Sequence, residues 1–417
     1  MAKQFNIPSF YDSSIIGVVK QARQATDPRK KDLKPVVLDF GPVQFFIPRH
    51  FGFCYGVQNA IDIAYRTIEE ANGRQVYLLS EMIHNPVVND DLQRRGVKFL
   101  FETDGSEHIP IEALSEDDIV IVPAFGTTLA IEERLRNKGI DPYSWDTTCP
   151  FVEKVWKRGS QLGKKGYNLV IHGKVKHEET RATFSHAQQD ARAVIVVLNV
   201  DEANFLAECM KGLRSKDEFE TKFAGKCTPG FDPLNDLHRF GVINQTTMLA
   251  TETQEVIQVL RDAAIELYGE SDIEEHVADT SDTLCYATNE NQSATLELMK
   301  QPIDLALVVG GFNSSNTMHI VELLERVVPT YHVRGANDVS SPDHIRHFNQ
   351  WEHREMDSQH WLNLSNSPIL IGLTSGASCP DALVDEVMLQ ILSWTQEAKP
   401  VADVIAPFKM QIDSITI

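Results

Sequence analysis

The chain has 417 residues, 42% of them apolar, with 39 Lys+Arg against 59 Asp+Glu and a formal charge of −20. That length and apolar content suit two or three compact domains with substantial cores. The acidic balance argues against a general nucleic-acid binder, which needs a basic surface to displace phosphate counterions, and against a protein held on anionic membrane.

Residues 1–44 read as an N-terminal extension, with an amphipathic helix near 14–24 and a charged linker over 27–35. No signal peptide opens the sequence, and no apolar run approaches the ~20 residues that span a bilayer. A reducing cytoplasm is therefore expected. The body alternates short apolar runs with helical stretches. Strands are predicted at 75–79, 118–122, 168–172, 193–198, 240–244, 305–309 and 369–374. Helices are predicted at 89–96, 130–138, 251–267, 317–327 and 382–394. Such alternation predicts an α/β protein with parallel sheets and sites at the strand C-termini. The segments divide as α/β units at 45–148, 149–284 and 285–395, with a charged insertion over about 201–238 and a tail over 396–417.

Six cysteines, Cys54, Cys149, Cys209, Cys227, Cys285 and Cys379, are too few in so long a chain for a disulfide scaffold. Three of them precede apolar helical stretches: Cys54 in Gly-Phe-Cys-Tyr-Gly-Val, Cys149 in Asp-Thr-Thr-Cys-Pro, and Cys285 in Asp-Thr-Leu-Cys-Tyr-Ala-Thr. A helix start favours the thiolate, which suits metal ligation or nucleophilic attack. Their wide separation and the absence of a CxxC pair argue against a zinc ribbon or a ferredoxin-type loop. Three thiolates meeting at one point could hold a [4Fe–4S] cluster with one iron left open as a Lewis acid; three buried core cysteines are the plain alternative.

The polar motifs suit an anionic ligand. Asn313-Ser314-Ser315-Asn316 follows a strand and opens a helix, where hydroxyl, amide and backbone donors converge. Small-residue loops recur after Val122, Val309 and Leu373, the last ending at Ser378. His84 and His177 could add imidazole donors, although a single histidine is more often an ordinary core or surface residue. His177-Glu178-Glu179 lacks the second histidine of HExxH, and Glu179 fits a proton relay better. Thr246, in Gln-Thr-Thr-Met, could place a hydroxyl beside a reacting group.

These motifs, with Glu-Met-Ile-His-Asn-Pro at His84, His-Glu-Glu-Thr at His177 and Val-Val-Gly-Gly-Phe-Asn-Ser-Ser-Asn ending at Asn316, together resemble the LytB/IspH family of 4-hydroxy-3-methylbut-2-enyl diphosphate reductases, from about Phe45 to Trp394. The resemblance implies three α/β units with small parallel-rich sheets around a pseudo-threefold axis. It implies one [4Fe–4S] cluster held by Cys54, Cys149 and Cys285, and a diphosphate held by His84, His177, Ser314, Ser315, Asn316 and Ser378. Glu179 would deliver protons and Thr246 would orient the substrate hydroxyl. It also implies a ferredoxin or flavodoxin as electron donor; a monomer or weak homodimer is expected. Phe125 stands where many bacterial members carry histidine, and this is similar to the plant and cyanobacterial branch. Two other readings compete: a non-catalytic iron–sulfur binding or sensing protein, which would not need Glu179 or Thr246, and a zinc-dependent phosphate-ester hydrolase.

Overall fold

The computed structural model describes residues 5–280, 283, 285–365 and 368–416. The chain divides into two compact units. A central unit comprises Asn59–Ile83 and Val87–Cys285; a discontinuous unit comprises Met1–Gln58, His84–Pro86 and Tyr286–Ile417.

The central unit holds two all-parallel sheets. In one, Val76–Leu78 lies between Lys98–Phe99 and Ile119–Ile121. In the other the order is Val194–Val197, Asn168–His172, Phe240–Asn244, Val277–Ala278. The strands Val194–Val197 and Phe240–Asn244 are buried at every position. Strands buried in this way lack polar alternation along their length and need cover on both faces. Part of that cover comes from the helix Pro150–Lys164, whose Gly163 passes so close to the chain that a Cβ would stand 2.6 Å from the Ala191 nitrogen. The charged stretch after 200 is ordered. It forms helices Val200–Met210, Lys216–Lys222 and Pro233–Asp236. Leu206, Phe219, Phe223, Phe231 and Leu237 turn inward to a common core, while the charges stay outside. Ser215 and Glu218 close a capping box at the start of the second helix.

The discontinuous unit is built on an eight-stranded mixed sheet. Its order is Val36–Asp39, Val43–Ile47, Ile369–Ser375, Leu305–Val309, Thr330–Val333, His344–Asn349, Val339–Ser341, with Arg354–Gln359 also paired to His344–Asn349. The middle of the sheet is parallel and both ends are antiparallel. Phe46, Leu298, Ile303, Val308, Ile320 and Leu324 form a core against it.

The N-terminal segment belongs to this unit. Its helix Ile16–Thr26 packs on Asp381–Ser393 and Val401–Thr416. The helix has no side-chain cap of its own at Ile15. Instead the Asp385 carboxylate accepts the Ile15 and Ile16 amides at 3.0 and 3.1 Å, so an acid distant in sequence satisfies the orphan donors of the first turn. Ile16 and Ala22 are fully buried, and burying an Ile side chain is worth roughly 1.5–3 kcal/mol.

Candidate functional site

The proposed substrate-binding and proton-relay residues sit on loops, or on the first turns of helices, that follow parallel strands. The order of elements dictates this placement, because a strand that leads into a covering helix must turn at that edge.

In the discontinuous unit, Leu305–Val309 runs into the loop 310–314 and then the helix Ser315–Leu324. Ser314 is the N-cap and its Oγ accepts the Thr317 amide at 3.3 Å. The next strand, Ile369–Ser375, ends in a loop carrying Ser378. Glycines let these loops close on one another. A Cβ at Gly376 would stand 2.0 Å from Thr317 Oγ1, and one at Gly311 would stand 2.4 Å from the His84 carbonyl oxygen. Ser378 Oγ lies 3.3 Å from both the His84 carbonyl and Ser314 Oγ. Asn313 Nδ2 donates to His84 Nδ1 at 3.2 Å, so the other ring nitrogen of His84 carries the proton and is a donor. His84, Ser314, Ser315 and Asn316 are all buried. Asn316 Nδ2 is a buried donor with no acceptor among the described residues, while Asn316 Oδ1 accepts the Ala377 amide at 2.8 Å. A buried donor without an acceptor is costly unless a ligand supplies one. The donor set is thus short of an acceptor, and an anion would provide it.

In the central unit, Asn168–His172 leads through Gly173 to His177, the N-cap of helix Glu178–Ala187. His177 Nδ1 accepts the Glu179 amide at 3.2 Å, which leaves its Nε2 as an N–H donor. The Phe125 ring meets the His177 ring edge to face at 5.5 Å. Where a hydrogen-bonding side chain could stand, this chain thus places an aromatic wall that fixes the imidazole plane. Glu179 is 1% exposed. Both its oxygens are clasped by Thr246 from the loop after Phe240–Asn244: Oε1 accepts the Thr246 amide at 2.5 Å and Oε2 accepts the Thr246 hydroxyl at 3.0 Å. Once that hydroxyl proton is committed to Glu179, the Thr246 oxygen can only accept from a ligand. The loop is held by Gln245, whose Oε1 takes the Lys174 amide and the Thr180 hydroxyl, both at 3.0 Å.

Each of the three cysteines precedes a helix. Cys54 comes before Tyr55–Glu70, Cys149 caps Pro150–Lys164, and Cys285 comes before Tyr286–Leu298. Pro150 at the first helical position, where an N–H is not needed, sharpens the second of these starts. The backbone fixes two of the cysteines directly: Cys54 donates to Ala377 O at 3.2 Å and Cys149 to Ala124 O at 3.0 Å. Near the third, Thr283 Oγ1 donates to Asn244 Oδ1, 2.7 Å away. Asp282 and Leu284 of the Cys285 motif lie outside the described residues. No disulfide joins any of the six cysteines. Among the described residues no group of three or more His, Cys, Asp or Glu is arranged around a single ion. Sulfurs that hold a cubane of four irons stand farther apart than the ligands of one ion, so the two arrangements are geometrically distinct. In donor chemistry, three thiols at helix starts fit such a cluster.

The other cysteines are packing residues. Cys209 lies in the core of the central unit, and burial pushes its thiol up to about 11. Burial raises Cys227 and the fully buried Cys379 as well. Asn313, Gln245 and Ala377, named in the sequence only as members of their motifs, turn out to orient the others. The polar residues among them flank the named site residues, a signal that spacing alone does not separate from ordinary turn chemistry.

The family model described as LytB protein matches residues 46–392. A Synechococcus 4-hydroxy-3-methylbut-2-enyl diphosphate reductase is 35% identical over 93% of this chain and 91% of its own length. The Nostoc punctiforme protein of the same name is 38% identical, covering 86% of each chain. A solved structure of (E)-4-hydroxy-3-methyl-but-2-enyl diphosphate reductase, the terminal enzyme of the non-mevalonate pathway, aligns with a TM-score of 0.50 at 25% identity over 83% of this chain and 98% of that one. The Plasmodium falciparum E-1-hydroxy-2-methyl-but-2-enyl-4-diphosphate reductase shares the fold, with a TM-score of 0.60 at 21% identity over 90% and 99%.

Proposed function

This chain belongs to the LytB family, and from that premise we propose that it reduces (E)-4-hydroxy-3-methylbut-2-enyl diphosphate to isopentenyl and dimethylallyl diphosphate, the last step of the methylerythritol phosphate route. Two electrons and two protons enter, the C–O bond breaks, and water leaves. Cys54, Cys149 and Cys285 would hold a [4Fe–4S] cluster, which when bound would supply single electrons and an open iron as Lewis acid. A ferredoxin or flavodoxin is the proposed source of those electrons.

The chain's own residues bind and protonate. The Nε2–H groups of His84 and His177, the hydroxyls of Ser314, Ser315 and Ser378, and Asn316 Nδ2 are donors for the diphosphate oxygens. Thr246 accepts from the substrate hydroxyl while donating to Glu179, so it orients that hydroxyl. Once it has taken up a proton, Glu179 is the buried acid that donates to the Thr246 oxygen, whose hydroxyl then turns to pass its own proton to the leaving oxygen.

The Glu179–Thr246 clasp carries this reading. A protein that merely held or sensed a cluster would gain nothing from burying a carboxylate against a hydroxyl with an oxygen left to accept. The test is anaerobic incubation of the holoprotein with the allylic diphosphate and a reduced dye. The expected result is consumption of substrate with both five-carbon diphosphates detected by mass spectrometry. Untouched substrate, with the cluster intact, would overturn the proposal.

A further inference from the structure

We propose that Asn316 carries occupancy of the anion seat to the Cys54 loop through the backbone of Ala377. The inference rests on the reading of Asn316 as a diphosphate ligand. It adds a coupling between that ligand and a cluster cysteine.

Three consecutive observations make the connection, all inside the discontinuous unit. Asn316 Nδ2 is buried without an acceptor among the described residues. At the other end of the same amide, Oδ1 accepts the Ala377 N–H at 2.8 Å. The Ala377 carbonyl then accepts the Cys54 N–H at 3.2 Å. Asn316 carries a planar side-chain amide that donates at one end and accepts at the other; the Ala377 N–H and carbonyl belong to successive peptides joined at its Cα, so a tighter hold on the first is passed to the second by position. An oxygen anion that accepts from Asn316 Nδ2 draws electron density toward Oδ1. The Ala377 N–H is then held more tightly, and its carbonyl, one Cα away, is fixed more firmly against the Cys54 N–H. The chain of bonds ends on the backbone of the residue whose sulfur ligates the cluster.

The surroundings keep this line short and stiff. Asn291 Nδ2 approaches Asn316 Oδ1 from the side at 3.5 Å, fixing the plane of the amide. On the far side of the cysteine loop, Lys20 Nζ donates to the Phe51 carbonyl at 2.8 Å and pairs with Asp381 at 2.7 Å. Gly52 has φ +78°, and a Cβ there would stand 2.1 Å from Asp381 Oδ1. The loop is therefore clamped from one side by the N-terminal helix and coupled on the other to the anion seat. A change in the strength of the Ala377–Cys54 bond is passed to Cys54 rather than lost in loop motion.

The test is residue-resolved amide hydrogen exchange on the anaerobic holoprotein with inorganic diphosphate as probe, since diphosphate has no carbinol to interact with iron. Diphosphate should slow exchange in 313–317, and should also slow the Cys54 and Ala377 amides by about three- to tenfold. Protection in 313–317 with no change at Cys54 overturns the coupling and leaves the anion seat standing. No protection in 313–317 overturns the seat itself. A second arm needs no ligand. Asn316→Ala removes the acceptor of the Ala377 N–H and should speed exchange at Ala377 and Cys54 relative to the rest of the unit. Unchanged rates at both positions in this variant would also overturn the coupling.

Discussion

Replacing Glu179 by Gln keeps the shape of a side chain that is 1% exposed and removes its charge. In the native site both oxygens accept, one from the Thr246 amide at 2.5 Å and one from its hydroxyl at 3.0 Å. The amide group of Gln satisfies both contacts only if its oxygen faces the Thr246 N–H and its nitrogen faces the Thr246 hydroxyl. The hydroxyl must then accept, and its proton swings toward the position from which a substrate hydroxyl would donate. Exchanging a charge-assisted for a neutral contact costs about 1 kcal/mol, so the fold survives. Two catalytic features are lost together: the acid itself and the acceptor character of Thr246. Acid catalysis by a positioned group contributes about 10²–10⁴-fold, or roughly 3–5 kcal/mol of barrier. The expected result in anaerobic turnover with a reduced dye is a kcat lower by that factor. KM should stay within about threefold, because the diphosphate donors are untouched. A kcat within about threefold of wild type, with the cluster fully loaded, would remove Glu179 from proton delivery.

Three further outcomes are expected. A Cβ at Gly376 would collide with Thr317 Oγ1 at 2.0 Å, so Gly376→Ala should cost roughly 1–3 kcal/mol and weaken calorimetric binding of inorganic diphosphate at least tenfold; unchanged affinity would detach this loop from the anion seat. Lys20→Met breaks a partly exposed pair with Asp381 and frees the Phe51 carbonyl. Stability should fall by only about 1 kcal/mol, yet iron should be released to a chelator several times faster, whereas an unchanged release rate would leave the clamp without a role at Cys54. Finally, burial pushes the imidazole of His332 down from 6.5 to about 4 while its Nε2 donates to Gly310 O at 3.2 Å. The folded protein keeps this ring neutral where the unfolded chain protonates it. Stability is therefore full above about pH 6.5 and falls as pH drops toward 4, by on the order of 2–3 kcal/mol. His50 is shifted in the same direction. In urea titrations across this range His332→Phe should show a shallower slope than wild type, and an equal slope would contradict the assignment.

The strands that were legible are those buried on both faces. Predicted strands at 168–172, 240–244 and 305–309 match Asn168–His172, Phe240–Asn244 and Leu305–Val309, because short runs centred on Leu, Val and Ile between turn signals leave little alternative. The antiparallel ribbon formed by His344–Asn349 and Arg354–Gln359 went unseen, since its faces are half wet and its residues polar. Helix Val401–Thr416 was hidden by Pro407, which breaks helical patterns but is carried within this helix. The first turn of Ile16–Thr26 depends on Asp385, a partner no local reading can supply. Glu179 and Thr246 could be singled out by residue type, whereas the clasp between them comes from adjacent strands that end side by side, and only pairing in three dimensions reveals it.

The central claim is that the thiols of Cys54, Cys149 and Cys285 hold one redox centre beside a diphosphate seat. Iron and zinc counting on protein purified without oxygen, together with its visible spectrum, bears on it most directly. The account expects a brown protein with about four irons per chain, losing that colour when any one of these cysteines becomes serine and keeping it when Cys209 or Cys227 does. A colourless chain that retains zinc, or a cluster indifferent to all three replacements, would contradict it.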